Sequence, residues 1–126
     1  MTFIINSLFE KDAKKISDFF ADNFSDGWTE DMLISAFKTD RFYAKCLSKE
    51  DGKLTPVAIL TYSITDSVMD IEDIVVDKNK RRLGAGAFLL KSVLDNAQQE
   101  GVKRVFMVFS PFSHWSDMSS LPSFHI

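Results

Sequence analysis

The segment Met69–Gly101 reads MDIEDIVVDKNKRRLGAGAFLLKSVLDNAQQEG and decides the fold of this chain. Its first residues, up to Val76, are rich in β-branched side chains and favour a strand. A basic stretch then leads to the small residues 84–87, after which apolar residues recur every three or four positions and predict a helix with one buried face. Gly101 is typical of a helix C-terminus. The segment therefore predicts a strand, a tight turn and a helix in direct succession.

The sequence on either side of this segment predicts a sheet with helices packed on it. Upstream, in chain order, we expect one strand, two helices and two further strands, at residues 2–7, 11–24, 29–38, 42–48 and 54–63. The last two form an antiparallel meander with strand 69–76. Downstream, residues 103–109 form an apolar strand that pairs in parallel with strand 69–76 through a right-handed crossover. The predicted fold class is therefore α/β (α+β), with a mixed, mostly antiparallel sheet flanked by helices.

Two helix starts carry recognisable capping residues. Ser7 and Glu10 have the spacing of a capping box, which predicts that the first helix begins beside them. Thr29 is a typical N-cap, and the acidic residues Glu30 and Asp31 after it suit the positive end of the second helix. We therefore expect both helices to start at these positions.

The bulk composition indicates one compact domain. The chain has 126 residues, of which 45% are hydrophobic, and its formal net charge is -3. This charge offers no general attraction to nucleic acid or to an anionic membrane, and the basic stretch Lys78–Arg82 alone is thin support for a nucleic-acid site. Cys46 is the only cysteine, which fits a reducing compartment. With no signal peptide and no apolar run long enough to span a membrane, we expect a cytoplasmic protein.

The turn Arg81–Ala87 has the chemistry of a phosphate site. Its small residues let backbone N–H groups approach a ligand, and the following helix N-terminus adds partial positive charge. Arg81 and Arg82 can add charge-assisted hydrogen bonds to a pyrophosphate. The P-loop pattern fails, because no Gly-Lys-Ser/Thr closes the turn. The dinucleotide fingerprint also fails, because Leu89 stands at the third glycine position.

The pattern Arg81-x-x-Gly84-x-Gly86, together with the order of elements over about residues 3–109, resembles the GNAT superfamily of acetyl-CoA-dependent N-acetyltransferases. The resemblance implies acetyl-CoA as co-substrate and a V-shaped splay between strands 69–76 and 103–109 that admits it. It implies that backbone groups on the first of these strands pair with the pantetheine arm, and that N–H groups of the turn hold the pyrophosphate. The residues concerned are Ile74, Val75 and Val76 on the strand, and Arg82, Leu83, Gly84, Ala85, Gly86 and Ala87 in the turn.

A carboxylate on strand 69–76 is the candidate general base. Amine acetylation needs a neutral amine, and a partly buried carboxylate has a raised pKa that suits it to accept the proton. Asp70 and Glu72 are two residues apart and therefore share a face of the strand, while Asp73 is expected on the other face. The GNAT resemblance implies a glutamate base on this strand, so Glu72 is the first candidate and Asp70 the second. The alternative is that Glu72 pairs with a cation or lies at an exposed strand end.

The acceptor is expected to be a primary amine. Residues 23–29, NFSDGWT, resemble a loop of the RimI-type ribosomal-protein N-terminal acetyltransferases, which implies a protein N-terminal amine and a substrate-facing Trp28. The other interpretation of Trp28 is an aromatic residue that fixes the helix to the core. The alternatives for function are acetylation of a small molecule, such as an amino sugar, polyamine or antibiotic, and a catalytically impaired CoA-binding module. The reaction implied is direct attack through a tetrahedral intermediate, without a covalent intermediate on Cys46.

Residues 110–126 depart from the family pattern. They are serine-rich, show no period, and are assigned neither helix nor strand, although we place them in the same domain as residues 1–109. The C-terminal helix with its general-acid tyrosine and the final hairpin are not matched, and Val108 stands where the RimI type has a glutamate. The only tyrosines, Tyr43 and Tyr62, lie upstream.

Two further expectations concern this C-terminal region. His114 and His125 are alternative candidates for the general acid, although a histidine in an exposed tail is more often idle. Two histidines without suitably spaced carboxylates or cysteines do not make a metal site. Strand 105–109 is an apolar edge, and such edges pair with other chains or are covered. We expect either a homodimer through this strand or coverage by residues of the C-terminal segment, namely Phe112, Trp115 and Leu121.

Overall fold

The computed structural model describes residues 3–23, 28–50, 54–81, 84–109 and 114–117. Within these ranges the chain forms six strands and three α-helices, with a short 3₁₀ turn before the first helix. In chain order they are β1 (Phe3–Leu8), the 3₁₀ turn (Glu10–Asp12), α1 (Ala13–Asn23), α2 (Glu30–Phe37), β2 (Phe42–Glu50), β3 (Leu54–Thr65), β4 (Val68–Val76), α3 (Ala85–Gln99), β5 (Arg104–Phe109) and β6 (His114–Asp117).

The six strands make one mixed sheet in the order β1-β2-β3-β4-β5-β6. β1 to β4 form an antiparallel meander, β4 pairs in parallel with β5, and β5 pairs antiparallel with β6. Asp66 and Ser67 connect β3 to β4 with φ angles of 51° and 67°. Two consecutive positive φ angles are what a two-residue hairpin turn requires, because they match the right-handed twist of the strands. The predicted mixed α/β fold is confirmed.

The sheet opens into a V between β4 and β5. These strands pair from Val68 opposite Arg104 to Ile71 opposite Met107, and their ladder ends there. β4 nevertheless stays paired with β3 as far as Val76, while the end of β5 pairs with β6. The side of β4 that faces β5 is therefore free of strand pairing beyond Ile71, as the predicted splay requires.

Each face of the sheet carries its own hydrophobic core. The α3-side core packs the buried stripe of α3, which includes Leu90, Val93, Leu94 and Ala97, onto the central strands. The α1/α2-side core packs the first two helices on the opposite face, with Ile16, Phe20 and Leu33 fully buried. None of the described helices is long and apolar enough to cross a membrane.

The two predicted helix caps have different outcomes. Thr29 is the N-cap of α2, and its hydroxyl oxygen accepts a hydrogen bond from the Met32 N–H at 3.2 Å, as expected. The capping box at Ser7 and Glu10 was a wrong prediction, because Ser7 belongs to β1 and pairs there with Lys45. Instead, the Asp12 carboxylate accepts a hydrogen bond from the Phe9 N–H at 2.9 Å.

The C-terminal segment contains a strand that the sequence did not predict. β6 runs antiparallel to β5, with Trp115 opposite Val108 and His114 opposite Phe109. No helix or strand was assigned from the sequence after residue 110, and the structure has a strand at residues 114–117. β6 occupies the β5 edge through which the homodimer was predicted to form, since an unpaired strand edge needs backbone partners. Phe112, Leu121 and His125 lie outside the described residues.

Candidate active site

A β-bulge in β4 shapes the predicted catalytic strand. The register against β3 passes from Tyr62 opposite Ile71 to Thr61 opposite Asp73, so Glu72 is the extra residue. Such a bulge reverses the alternation of side chains along the rest of the strand. Ile71 packs in the α3-side core, and so does Ile74 three residues later rather than two.

Because of this bulge, the expectation that Asp73 lies on the opposite face from Asp70 and Glu72 was wrong. The Asp73 carboxylate accepts a 2.6 Å hydrogen bond from the indole N–H of Trp28, which packs against the α1/α2-side core. Glu72 accepts a 3.5 Å hydrogen bond from the Ser63 hydroxyl, and Ser63 lies opposite Asp70 in the ladder. The bulge thus collects three carboxylates on one face of the sheet.

Two of the three carboxyl groups, those of Glu72 and Asp73, have raised pKa values. Burial raises the pKa of Glu72, the charges of Asp70 and Asp73 raise it further, and the hydrogen bond from Ser63 partly offsets these effects. Burial also raises the pKa of Asp73, against the opposing effect of the Trp28 hydrogen bond. None of the three carboxylates forms an ion pair with a lysine or arginine in the described ranges. Burial and the neighbouring charges therefore shift the pKa of Glu72 upward, the direction that favours accepting a proton.

The start of α3 presents free backbone donors at the end of β4. Gly84 is the N-cap, with a φ of 78° and no side chain to satisfy the first turn, and its carbonyl accepts the first helical hydrogen bond from Phe88. The N–H groups of Ala85, Gly86 and Ala87 precede that bond and so have no carbonyl partner within the helix. Such a terminus suits an anion. Arg82 and Leu83, also predicted to hold pyrophosphate, lie outside the described residues.

Gly86 brings this helix start against β4. A Cβ atom at Gly86 would lie 3.0 Å from Cγ2 of Val76 and 3.8 Å from Cδ1 of Ile74. No real Cβ tolerates much closer packing, so the absence of a side chain sets how near α3 approaches the strand. The free donors of α3 and the unpaired side of β4 along Ile74, Val75 and Val76 therefore adjoin one another, as a ligand with a diphosphate and an extended arm requires.

The structure places the Arg81 side chain on protein carbonyls. Its Nη2 donates to the Asn23 carbonyl at 2.6 Å, and its Nε donates to the Val76 carbonyl at 3.4 Å. The guanidinium group therefore connects the end of α1 to the end of β4, whereas the sequence predicted that it would bind pyrophosphate.

Trp28 is held by contacts on both its polar and its apolar side. Beyond the indole hydrogen bond to Asp73, its ring packs against Phe42 with centroids 5.2 Å apart and planes tilted by 54°. These contacts fit the second of the two interpretations, an aromatic residue that fixes the α2 region to the core. They also orient Asp73, beside Glu72.

We expect Trp28→Phe to destabilise the fold by about 1 kcal/mol, because it keeps a ring against Phe42 but removes the hydrogen bond to a half-buried carboxylate. Thermal unfolding should show a melting temperature lower by a few degrees, on the order of 3–5 °C for a domain of this size. Phe42→Leu is the matched control for the ring contact alone. An unchanged melting temperature with a raised acceptor KM would instead show that Trp28 contacts the acceptor.

Cys46 lies apart from these carboxylates, on β2. It is 3% exposed, its sulfur lies 3.3 Å from the Ser48 hydroxyl oxygen, and burial raises the pKa of its thiol. A raised pKa disfavours the thiolate, which is the nucleophilic form. Among the described residues no three His, Cys, Asp or Glu side chains group closely enough to hold a metal ion.

Two contributors to the site went unnoticed in the sequence. Ser63 is a strand residue that no motif marks, and its role follows from its place opposite Asp70. Asn23 belongs to the sequence segment that precedes α2, yet it contacts the turn after β4. Its helix-terminal position, where Asn often makes local hydrogen bonds, was the one available signal.

The sequence pattern of the acetyltransferase (GNAT) family matches residues 13–115 of this chain. The chain belongs to this family, which confirms the resemblance. No curated protein matches the chain in sequence.

Solved structures of similar fold include several acetyltransferases. The ribosomal-protein-S18-alanine N-acetyltransferase of Escherichia coli has a TM-score of 0.75 at 20% identity, over 84% of this chain and 66% of that one. An aminoglycoside acetyltransferase from an uncultured soil metagenomic sample, in complex with sisomicin, has a TM-score of 0.67 at 22% identity, over 87% and 79%. Arabidopsis thaliana NAA60 in complex with acetyl-CoA has a TM-score of 0.67 at 14% identity, over 84% and 74%.

These likenesses establish the fold. The chain spans about two thirds of the length of the E. coli enzyme, the first of the three.

Proposed function

We propose that this protein transfers the acetyl group of acetyl-CoA to a primary amine in the cytoplasm. The observation that carries the proposal is the meeting of three features at one place. The unpaired side of β4, the free N–H groups at the start of α3, and Glu72 with its raised pKa all lie along one strand and its immediate continuation.

The cofactor is held by the backbone in this proposal. The pantetheine arm lies along Ile74, Val75 and Val76, on the side of β4 where pairing with β5 has ended. The diphosphate lies at the N–H groups of the α3 start. Arabidopsis thaliana NAA60, which has a similar fold, is in complex with acetyl-CoA in its solved structure. Because Gly84 and Gly86 have no side chains, neither residue blocks the pantetheine arm or the diphosphate.

Glu72 accepts the proton of the attacking amine, directly or through a water molecule. The amine nitrogen then bonds to the acetyl carbon through a tetrahedral intermediate, the carbon–sulfur bond breaks, and CoA leaves as the thiol once it gains a proton. A backbone N–H on the unpaired side of β4 polarises the thioester carbonyl. Asp70 is the second candidate base, on the same face and near enough to raise the pKa of Glu72.

A protein N-terminal amine is the first acceptor we propose, in line with the RimI-type resemblance. A small-molecule amine is the second, and one observation favours it. Three carboxylates share a face without a lysine or arginine partner in the described ranges, so a ligand with more than one positive charge would be attracted there. Trp28, which supported the peptide acceptor, is bound to Asp73 and Phe42.

An acetylation assay on two acceptor panels tests this proposal. We expect thiol release from acetyl-CoA to depend on an added amine, with kcat of about 1–1000 s⁻¹ on a good acceptor. Peptides with free and blocked N-termini form one panel, and aminoglycosides and polyamines the other. Turnover on free but not blocked peptides supports the first acceptor, and turnover on polyamines or aminoglycosides supports the second. Binding of acetyl-CoA without transfer to either panel would instead support a non-catalytic CoA-binding module.

A further inference from the structure

Asn23, the last residue of α1, makes hydrogen bonds in two directions. Its side-chain Nδ2 donates to the Phe19 carbonyl at 2.9 Å, within the helix. Its side-chain Oδ1 accepts from the Lys78 N–H at 2.8 Å, and its backbone carbonyl accepts from Arg81 Nη2 at 2.6 Å. One residue therefore contacts the turn after β4 at two points, 55 and 58 residues away in the chain.

The turn that Asn23 contacts is already compact. The Asp77 carboxylate accepts from the Asn79 N–H and its carbonyl from the Lys80 N–H, both at 2.8 Å. Internal bonds of this kind set the shape of a turn, but they do not set its position relative to the rest of the fold. The first residue of the turn is held to β3, since the Asp77 N–H donates to the Val57 carbonyl at 2.8 Å. The bonds from Asn23 position the rest of the turn, because they reach it at Lys78 and again at Arg81, three residues before the N-cap Gly84.

The chemistry of these bonds suits Asn23. The last carbonyls of a helix lack partners within it, and the negative end of the helix favours a cation. Arg81 supplies both a donor and a positive charge to the Asn23 carbonyl. The side-chain amide offers a donor to α1 and an acceptor to Lys78 at once, which a hydrophobic residue or a lysine at this position would not.

We propose that Asn23 is a positioning residue for the cofactor turn: with Arg81, it fixes residues 77–81 and hence the place from which α3 starts. Arg81 then contributes to cofactor affinity through the protein carbonyls that it binds. This inference rests on the proposed function, in that acetyl-CoA is the ligand of the turn. It predicts that loss of the Asn23 side chain weakens cofactor binding and leaves the chemical step at Glu72 unchanged.

Three variants of the full chain separate this role from a structural one. Asn23→Ala should weaken CoA binding, measured by calorimetry, and raise the KM for acetyl-CoA, each by about tenfold, which corresponds to about 1.4 kcal/mol. Its kcat at saturating acetyl-CoA should stay within about twofold of wild type. Asn23→Asp keeps the acceptor for Lys78 and should restore most of the affinity. Asn79→Ala, the matched control, removes an exposed amide from the same turn and should bind CoA as wild type does.

A double-variant cycle that adds Arg81→Ala gives a second test of the proposal. Arg81→Ala should weaken CoA binding, and the loss in Asn23→Ala/Arg81→Ala should be clearly smaller than the sum of the two single losses, since both side chains secure the same turn. Additive losses would overturn the proposal, and so would wild-type affinity in Asn23→Ala or a fall in kcat at unchanged KM. If wild-type protein binds no CoA, the proposed function itself fails. If wild type binds and Asn23→Ala binds equally well, only the present inference fails.

Discussion

Glu72→Gln lowers kcat by about 10²- to 10⁴-fold, the usual contribution of a general base, with the affinity for acetyl-CoA unchanged. Glutamine keeps the shape of the side chain and an acceptor for the Ser63 hydroxyl, but it cannot take the amine proton. Steady-state kinetics with saturating acetyl-CoA, paired with calorimetric titration of CoA, measure the two effects separately. The corresponding variant Asp70→Asn should lower kcat far less, since Asp70 acts on the reaction through the charge it places near Glu72.

The pH dependence of kcat/KM tests the role of Glu72 as the base more specifically than the loss of kcat does. A base must be deprotonated, so kcat/KM should rise with pH through the pKa of Glu72, which burial, Asp70 and Asp73 place above the ordinary glutamate value of 4.5. Glu72→Gln should lose this limb, and Asp70→Asn should move it to lower pH by removing a neighbouring negative charge. A profile in Glu72→Gln that keeps the wild-type limb, with a small loss of kcat, would assign the proton transfer to another group.

The raised pKa of Glu72 also lowers the stability of the fold at neutral pH. A carboxyl group whose pKa is higher in the folded chain than in the unfolded chain stabilises the fold while protonated, below the unfolded pKa. That contribution is lost as the pH rises through the folded pKa, so ionised Glu72 opposes folding at neutral pH. Glu72→Gln should therefore have a higher melting temperature than wild type at pH 7, on the order of a few degrees. The difference should shrink on acidification below the ordinary glutamate pKa.

Gly86→Val abolishes detectable cofactor binding, with at least a hundredfold loss of affinity for CoA expected. Even a Cβ at this position would lie 3.0 Å from Val76, so the branched valine pushes the first turn of α3 away from β4. The N–H groups of residues 85–87 then no longer meet the unpaired side of the strand. Overpacking of this kind costs about 1–3 kcal/mol of stability as well. Calorimetric titration of CoA and thermal unfolding measure the two losses.

Two comparisons separate the loss of binding from the loss of stability. Gly101→Ala strains a backbone with a φ of 94° at the far end of α3, where nothing lies within 4 Å, so it should lower the melting temperature and leave CoA affinity intact. In the milder variant Gly86→Ala, the second change Val76→Ala makes room for the new Cβ and should recover affinity. Unaltered CoA affinity in Gly86→Val would mean that the helix start takes no part in binding the cofactor.

Much of this fold could be predicted from local patterns. The apolar stripe of α3, the alternation of the meander strands and the N-cap at Thr29 all depend on neighbours in the chain. The predicted boundaries of the strands and helices consequently fall close to those observed. β6, by contrast, is only four residues long, too short for a period to show, and it exists because the edge of β5 needs a partner.

The site was less predictable, because its key features depend on residues distant in sequence. The bulge at Glu72 arises from the register of β4 against β3, and nothing in β4 alone reveals it. The bulge places Asp73 on the face of the sheet opposite to the one that was expected. Likewise, the charge of Arg81 was evident, but its partner Asn23 is 58 residues away, so its hydrogen bond to the Asn23 carbonyl could not be predicted from the sequence.

The most direct test of the central claim is calorimetric titration of the wild-type protein with acetyl-CoA and, separately, with pantetheine, which lacks the diphosphate. If backbone N–H groups at the start of α3 donate hydrogen bonds to the diphosphate, acetyl-CoA should bind at one molecule per chain. Its Kd should lie between about 1 µM and 1 mM. Pantetheine should bind at least a hundredfold more weakly, or without detectable heat. Equal affinity for the two ligands, or no binding of acetyl-CoA, would contradict the account.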